Sequence, residues 1–153
     1  MRRKDKEIRD IATIEEDIIR KASVCRLGLC DNGRPYVVPL CFGYKDKTLY
    51  FHSGREGKKI DILRTNNNVC FEIDIDYELL KAKEACKCSI KYQSIIGFGK
   101  ALLIEDFESK RKAFDIITRN YSDGSFEYPV EAIKNTVIIR VEIESMTGKK
   151  SGY

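Results

Sequence analysis

At 153 residues the chain has room for one domain, spanning 1–153, and little for two. With 42% hydrophobic and 34% charged residues it can bury a real core, which excludes a disordered chain. A net charge of +4, from 28 Lys+Arg against 24 Asp+Glu, is too small for a dedicated nucleic-acid binder and suits a protein that takes a phosphorylated small molecule.

Residues 1–12 form a charged lead-in without the apolar run of a secretory signal. Thr13-Ile14-Glu15-Glu16 has the form of a capping box, in which hydroxyl and carboxylate satisfy free N–H groups. It predicts a helix from Thr13 to about Ala22, with Ile14, Ile18 and Ala22 as its apolar stripe. Val24 to Cys30 reads as a strand. Asp31-Asn32-Gly33 turns the chain, because Asn-Gly accepts the positive φ of a tight hairpin. Arg34 to Tyr44 is the returning strand. Pro39 within it has no N–H to donate, so an edge, a bulge or a bend is expected there. Asp46-Lys47 turns the chain again, and Thr48 to Ser53 is a third strand.

The spacing of Ile60 and Leu63 predicts a helix over Glu56–Arg64, ended by Asn66-Asn67-Asn68. Val69 to Asp76 alternates as a fourth strand, and 77–87 reads as a loop. Cys88 to Glu105 is a long strand with a break expected at Gly97 or Gly99. Asp106 caps a helix from Phe107 to about Asn120, lined by Phe114, Ile117 and Tyr121. Ser122-Asp123-Gly124-Ser125 and Pro129 carry turn chemistry. Val137, Ile139, Val141 and Ile143 then alternate with polar or outward residues as the last strand. Six strands, three helices and no βαβ rhythm predict a mainly β fold, an antiparallel barrel with peripheral helices. No stretch approaches the ~18 apolar residues of a membrane span.

The six cysteines, Cys25, Cys30, Cys41, Cys70, Cys86 and Cys88, are irregularly spaced. Without a secretory signal they point to a reduced, cytoplasmic setting. Cys25, Cys41 and Cys70 lie in apolar runs and read as small core residues, whereas Cys86 and Cys88 read as exposed. With one histidine and no C-x-x-C pair, no metal site is expected.

The chemistry concentrates in Leu49-Tyr50-Phe51-His52-Ser53-Gly54-Arg55-Glu56-Gly57-Lys58-Lys59-Ile60. A strand enters a glycine-punctuated turn and a helix follows. Free N–H groups and partial positive charge at a helix N-terminus suit phosphate. Ser53 offers a hydroxyl, Gly54 and Gly57 admit a ligand to the backbone, and Arg55, Lys58 and Lys59 add charge. Neither a Walker A nor a Rossmann glycine pattern is present. Taken alone, these residues fit a phosphate site and a solvated strand–turn–helix equally well.

Phe51-His52-Ser53-x-x-x-Gly57-Lys58-Lys59, following Pro35-Tyr36-Val37-Val38-Pro39-Leu40-x-Phe42, resembles the flavin-nucleotide-binding family related to pyridoxamine 5'-phosphate oxidase. Within it the chain is most similar to the nitroimidazole-resistance branch. Met1-Arg2-Arg3-Lys4-Asp5, Val24-Cys25-Arg26-Leu27-Gly28-Leu29 and Tyr92-Gln93-Ser94-Ile95-Ile96-Gly97-x-Gly99 agree in the same order. The resemblance implies a six-stranded split β-barrel that dimerises with itself and holds FMN at the subunit interface. It implies that Ser53, Lys58 and Lys59 hold the FMN phosphate and that Gly57 allows close approach. Val38, Pro39, Leu40 and Cys41 match the strand along the flavin ring. Ser94 matches a second cofactor-contacting strand, contributed by the partner subunit. His52 matches a histidine of the nitroimidazole branch and is the candidate catalytic residue, as a cofactor or pocket contact before a general acid. The branch often carries a tryptophan near position 88, where this chain has Cys88.

The implied activity is two-electron transfer from a reduced donor, such as a nicotinamide nucleotide, to a small acceptor such as a nitroaromatic. The alternative is a flavin protein without turnover that stores the cofactor or senses redox state. A barrel binding single-stranded nucleic acid is a third reading, disfavoured by the balanced charge. Arg26, alone in an apolar strand, is expected to pair with an acid across the barrel before reaching the ligand. Tyr36, Tyr50 and Tyr92 read as half-buried strand packing before flavin stacking.

Overall fold

The computed structural model describes residues 6–124 and 126–153. The Met1–Asp5 part of the resemblance and Ser125 of the predicted turn lie outside them. Eight strands form one antiparallel sheet: β1 Glu7–Ile8, β2 Cys25–Asp31, β3 Arg34–Leu40, β4 Gly43–Lys45, β5 Thr48–Gly54, β6 Asn68–Leu80, β7 Ser89–Ile104 and β8 Thr136–Ser151. Their order is β3-β2-β6-β7-β8-β5-β4, with β1 added to the far half of β8. The mainly β class holds, with eight strands where six were expected. The two outermost strands, β3 and β4, are consecutive in the chain, joined only by Cys41 and Phe42. Three Cα steps reach about 11 Å, so the sheet must curl until its edges nearly meet. It does so without pairing them, and a split barrel results.

The turns follow from the residues. Asn32 and Gly33 have φ of 50° and 85°, and Asp46 and Lys47 have 50° and 56°, the paired positive values of tight hairpins. Pro39 sits on an edge strand, where its missing N–H costs no ladder bond. The expected break in β7 is a register shift at Phe98/Gly99, and a second shift lies between Ile75 and Glu78 of β6. A side chain at Gly99 would strike the carbonyl of Glu142 on β8, so only glycine lets these strands close.

Helices α1 (Ile11–Asp17), α2 (Lys58–Thr65), α3 (Phe107–Arg119) and α4 (Val130–Lys134) surround the barrel. The first helix starts earlier than the capping box implied. Asp10 is the cap, accepting from the Thr13 N–H at 2.9 Å and its hydroxyl at 2.6 Å. Its carboxylate, three residues upstream, takes the Thr13 amide and also engages the Thr13 hydroxyl. Asp106 caps α3 as expected.

The main core fills the barrel with Cys25, Leu27, Leu49, Phe51, Phe71, Ile73, Ile95 and Val141, closed by Ile14 of α1, Ile18 at its C-terminal cap, and Ile60 and Leu63 of α2. A smaller cluster joins Ala113 and Ile117 of α3 to Ile138, with Tyr50 and Phe114 beside it. The end of α3 also pins the crossover between the sheet edges. Asn120 donates to the Phe42 carbonyl at 3.0 Å. The Tyr121 hydroxyl accepts from the Phe42 N–H at 2.9 Å and donates to the Ser23 carbonyl at 2.7 Å. Cys41, expected in the core, is exposed at this crossover, because the strand ends one residue before it. Cys25 is buried, Cys70 half-buried, and Cys86 and Cys88 exposed.

Candidate functional site

Ser53 ends the inward row of β5 and is buried, 5% exposed. The chain then leaves the sheet and reaches Gly57, whose φ of 132° lies where side-chain-bearing residues are strained. Nothing lies within 4 Å of the point where a Cβ would stand, so the space over Gly57 is open. Helix α2 begins at once, without a side-chain cap on its free N–H groups. Lys58 and Lys59 occupy its first two positions, where the helix dipole is already positive. Two cations at that end oppose the usual charge rule for helices. An anion seated there would resolve the conflict, which Asp61 in the same turn only partly offsets.

The Lys58 ammonium lies over the Tyr36 ring, 4.9 Å from its centre, which ties α2 to β3. No local pattern announces this pair, because the partners are distant in the chain. On β3, Tyr36, Val38 and Leu40 lean on the core while Val37 and Pro39 are exposed, as is Cys41 just beyond the strand. As an edge strand β3 keeps one row of backbone groups open to a ligand.

His52 and Arg55 stand apart from this group. Alternation turns His52 to the face opposite Ser53, where its ring meets Phe114 of α3 at 5.9 Å. The same period-two rule, applied to His52-Ser53, predicts opposite faces from sequence alone. Burial holds the His52 pKa below the ordinary histidine value, and the Lys59 charge adds to the shift. Arg55 donates to the Lys134 carbonyl at 2.8 Å and pairs with Glu105 at 3.7 Å, joining α4 to the end of β7.

Ser94 belongs to a different surface. Through β8 its row leads to Lys149, whereas the Ser53 row leads to Val137. Those positions are separated by about 40 Å of strand contour. Ser94 lines a shallow cleft of about 630 Å³ with Arg26, Glu72, Asp74, Tyr92 and Ile96. Arg26 pairs with Asp74 at 2.5 Å and Glu72 at 3.2 Å, acids of the adjacent strand β6 and not across the barrel as expected. Burial first, then the Asp74 charge, pushes the Glu72 carboxyl up from its ordinary value. Around the cleft Val37, Ile90, Ile96 and Phe98 are exposed, at 41% to 61%. Among the described residues no group of three or more His, Cys, Asp or Glu is placed to hold a metal ion, and no helix is long and apolar enough to cross a membrane.

The family model for pyridoxamine 5'-phosphate oxidase matches residues 13–150. Among solved structures, a candidate 5-nitroimidazole antibiotic resistance protein from Bacteroides thetaiotaomicron is 43% identical, with a TM-score of 0.83 over 94% of this chain and 85% of that one. A flavocytochrome from Azotobacter vinelandii superposes with a TM-score of 0.86 at 20% identity, over 100% of this chain and 72% of its own. An FAD and heme binding protein from Mycobacterium smegmatis gives 0.85 at 18% identity, over 97% and 74%. At such identities the last two speak for the fold alone. No curated protein sequence matches.

Proposed function

Since the chain belongs to the pyridoxamine 5'-phosphate oxidase family, we propose that it is a cytoplasmic, homodimeric FMN protein that reduces a small acceptor such as a nitroaromatic compound. The observation that carries this is the start of α2, where an uncapped helix with two lysines follows an open, positive-φ glycine. The FMN phosphate belongs there, bonded by the free N–H groups, Lys58, Lys59 and the Ser53 hydroxyl. Bound flavin supplies two-electron chemistry between a reduced donor, such as a nicotinamide nucleotide, and the acceptor.

The protein's own part is grip, orientation and polarity. The open edge of β3 at Val38–Cys41 gives backbone donors and acceptors to the ring edge. His52 supplies a neutral imidazole within the field of Lys59, a polar contact at this end of β5. Arg55 can join the phosphate only by giving up Lys134 and Glu105. Ser94 lies about 40 Å of strand contour from Ser53, which supports a second copy as the source of this contact. The apolar rim of Val37, Ile96 and Phe98 around the Ser94 cleft is the face that pairs, and its exposure supports that assignment.

The 43% identical structure supports a nitroaromatic acceptor. The six cysteines, unpaired among the described residues, support a reducing compartment. The test is anaerobic turnover of a 5-nitroimidazole by FMN-loaded protein with NADH or NADPH. Donor-dependent loss of the nitro absorbance is expected. Tight FMN binding with no turnover of any nitroaromatic would instead establish a flavin-storing or redox-sensing protein.

A further inference from the structure

Helix α3 leaves a second cleft where it crosses β5 and β8, beneath the β4–β5 turn. The cleft measures about 400 Å³, within the range of small-molecule sites. Its floor is apolar, with the half-buried Tyr50 ring open to it and the buried Ile138 beneath. Its walls are basic: Lys45 from the end of β4, Lys112 and Arg119 from α3, and Arg140 from β8. Lys112 and Arg119 are seven residues apart, two helical turns, and so share one side of α3. Asp46 and Asp115 are the acids, so four cations face two carboxylates and leave a surplus of two. Asp115 is already engaged by Arg111 at 3.6 Å. Of the four cations only Arg140 has an ion-pair partner among the described residues, Glu142 at 3.1 Å. The Arg140 Nε is shielded from solvent and has no acceptor, which leaves a buried donor unsatisfied.

We infer that this cleft binds a phosphate monoester carrying a flat ring, the chemistry of a nucleoside monophosphate. The surplus of two charges matches a phosphate dianion. The half-buried Tyr50 ring offers the ring a face. A turn of the Arg140 guanidinium about its last torsions brings Nε–H to a phosphate oxygen. None of the lining residues belongs to Ser53–Lys59, so the inference does not rest on the flavin reading.

Equilibrium dialysis of the full chain against AMP, adenosine and inorganic phosphate tests it. AMP should saturate one site per chain, at least about tenfold tighter than either fragment, because only AMP joins dianion and ring. Lys112→Ala with Arg119→Ala should weaken AMP about tenfold or more, and Lys58→Ala with Lys59→Ala should leave it unchanged. Lys45→Glu, at the exposed end of β4, should give the same loss and serves if the α3 variant folds poorly. No saturable AMP binding, or binding indifferent to both cleft variants, overturns the inference. Loss confined to the Lys58/Lys59 variant overturns it as well, by placing AMP at α2. FMN affinity measured in the same variants reports separately on the α2 assignment.

Discussion

Replacing Lys58 and Lys59 together by alanine should move ligand binding and apoprotein stability in opposite directions. Each lysine at the start of α2 works against the helix dipole, so its removal stabilises the helix by about 0.3–1 kcal/mol. Alanine's helix propensity adds a few tenths per position. The loss of the Lys58–Tyr36 contact takes back about 0.5–1 kcal/mol. The apoprotein should therefore melt at an unchanged or slightly higher temperature. The FMN phosphate, in contrast, loses two charge-assisted contacts of about 1.5–3 kcal/mol each. At 1.4 kcal/mol per tenfold, affinity should fall by about a hundredfold or more. Thermal melts without flavin and fluorescence titration with FMN read both sides. A variant that melts well below the wild type, or that binds FMN with undiminished affinity, would refute the reasoning that these lysines await an anion.

Gly57→Ala meets no neighbour, so its cost is backbone strain at φ 132°, about 1–3 kcal/mol; a drop of several degrees in apo Tm is expected, and an unchanged Tm would deny the strain. Tyr121→Phe strips the Phe42 N–H of its acceptor, and chemical denaturation should show a loss of about 1–3 kcal/mol. The His52 pKa is depressed in the fold, so the unfolded chain takes up the proton first. Stability should decline as pH falls below the ordinary histidine range, and His52→Gln should flatten that part of the profile. Lys59→Ala should raise the His52 NMR titration midpoint, since it removes a repelling charge. Ile96→Arg with Phe98→Arg should turn a dimer into a monomer in sedimentation equilibrium, and an unaltered dimer mass would place the interface elsewhere.

The elements legible in the sequence are those set by local chemistry. Asn32-Gly33 marks its hairpin, Pro39 its edge strand, Asp106 its helix, and Val137–Ile143 an alternation that only a half-covered strand produces. What escaped depends on partners far away in the chain. Glu7–Ile8 becomes a strand only because Gly148 and Lys149 offer a ladder. Strand β8 continues past Ile143 through polar residues because β7 pairs with it, not because it is buried. Tyr77–Leu80, expected as loop, extends β6 after a bulge that an alternation pattern cannot register. The five-residue α4 carries too short a pattern to be seen.

The site was legible to the same degree. Gly57-Lys58-Lys59 at a strand–helix junction is a local feature, and the structure sets it at the open start of α2. The distance of Ser94 from Ser53 and the bonds that occupy Arg55 are properties of the assembled sheet. The Lys58–Tyr36 stack and the Asn120–Tyr121 clamp on the edge crossover also needed the fold.

The most direct test compares FMN with riboflavin, which lacks only the phosphate, in titrations of the flavin-free protein. If the start of α2 holds the phosphate, FMN should bind at least about a hundredfold tighter than riboflavin. Equal affinity for the two would contradict the phosphate assignment, and failure to bind either would remove flavin from the account.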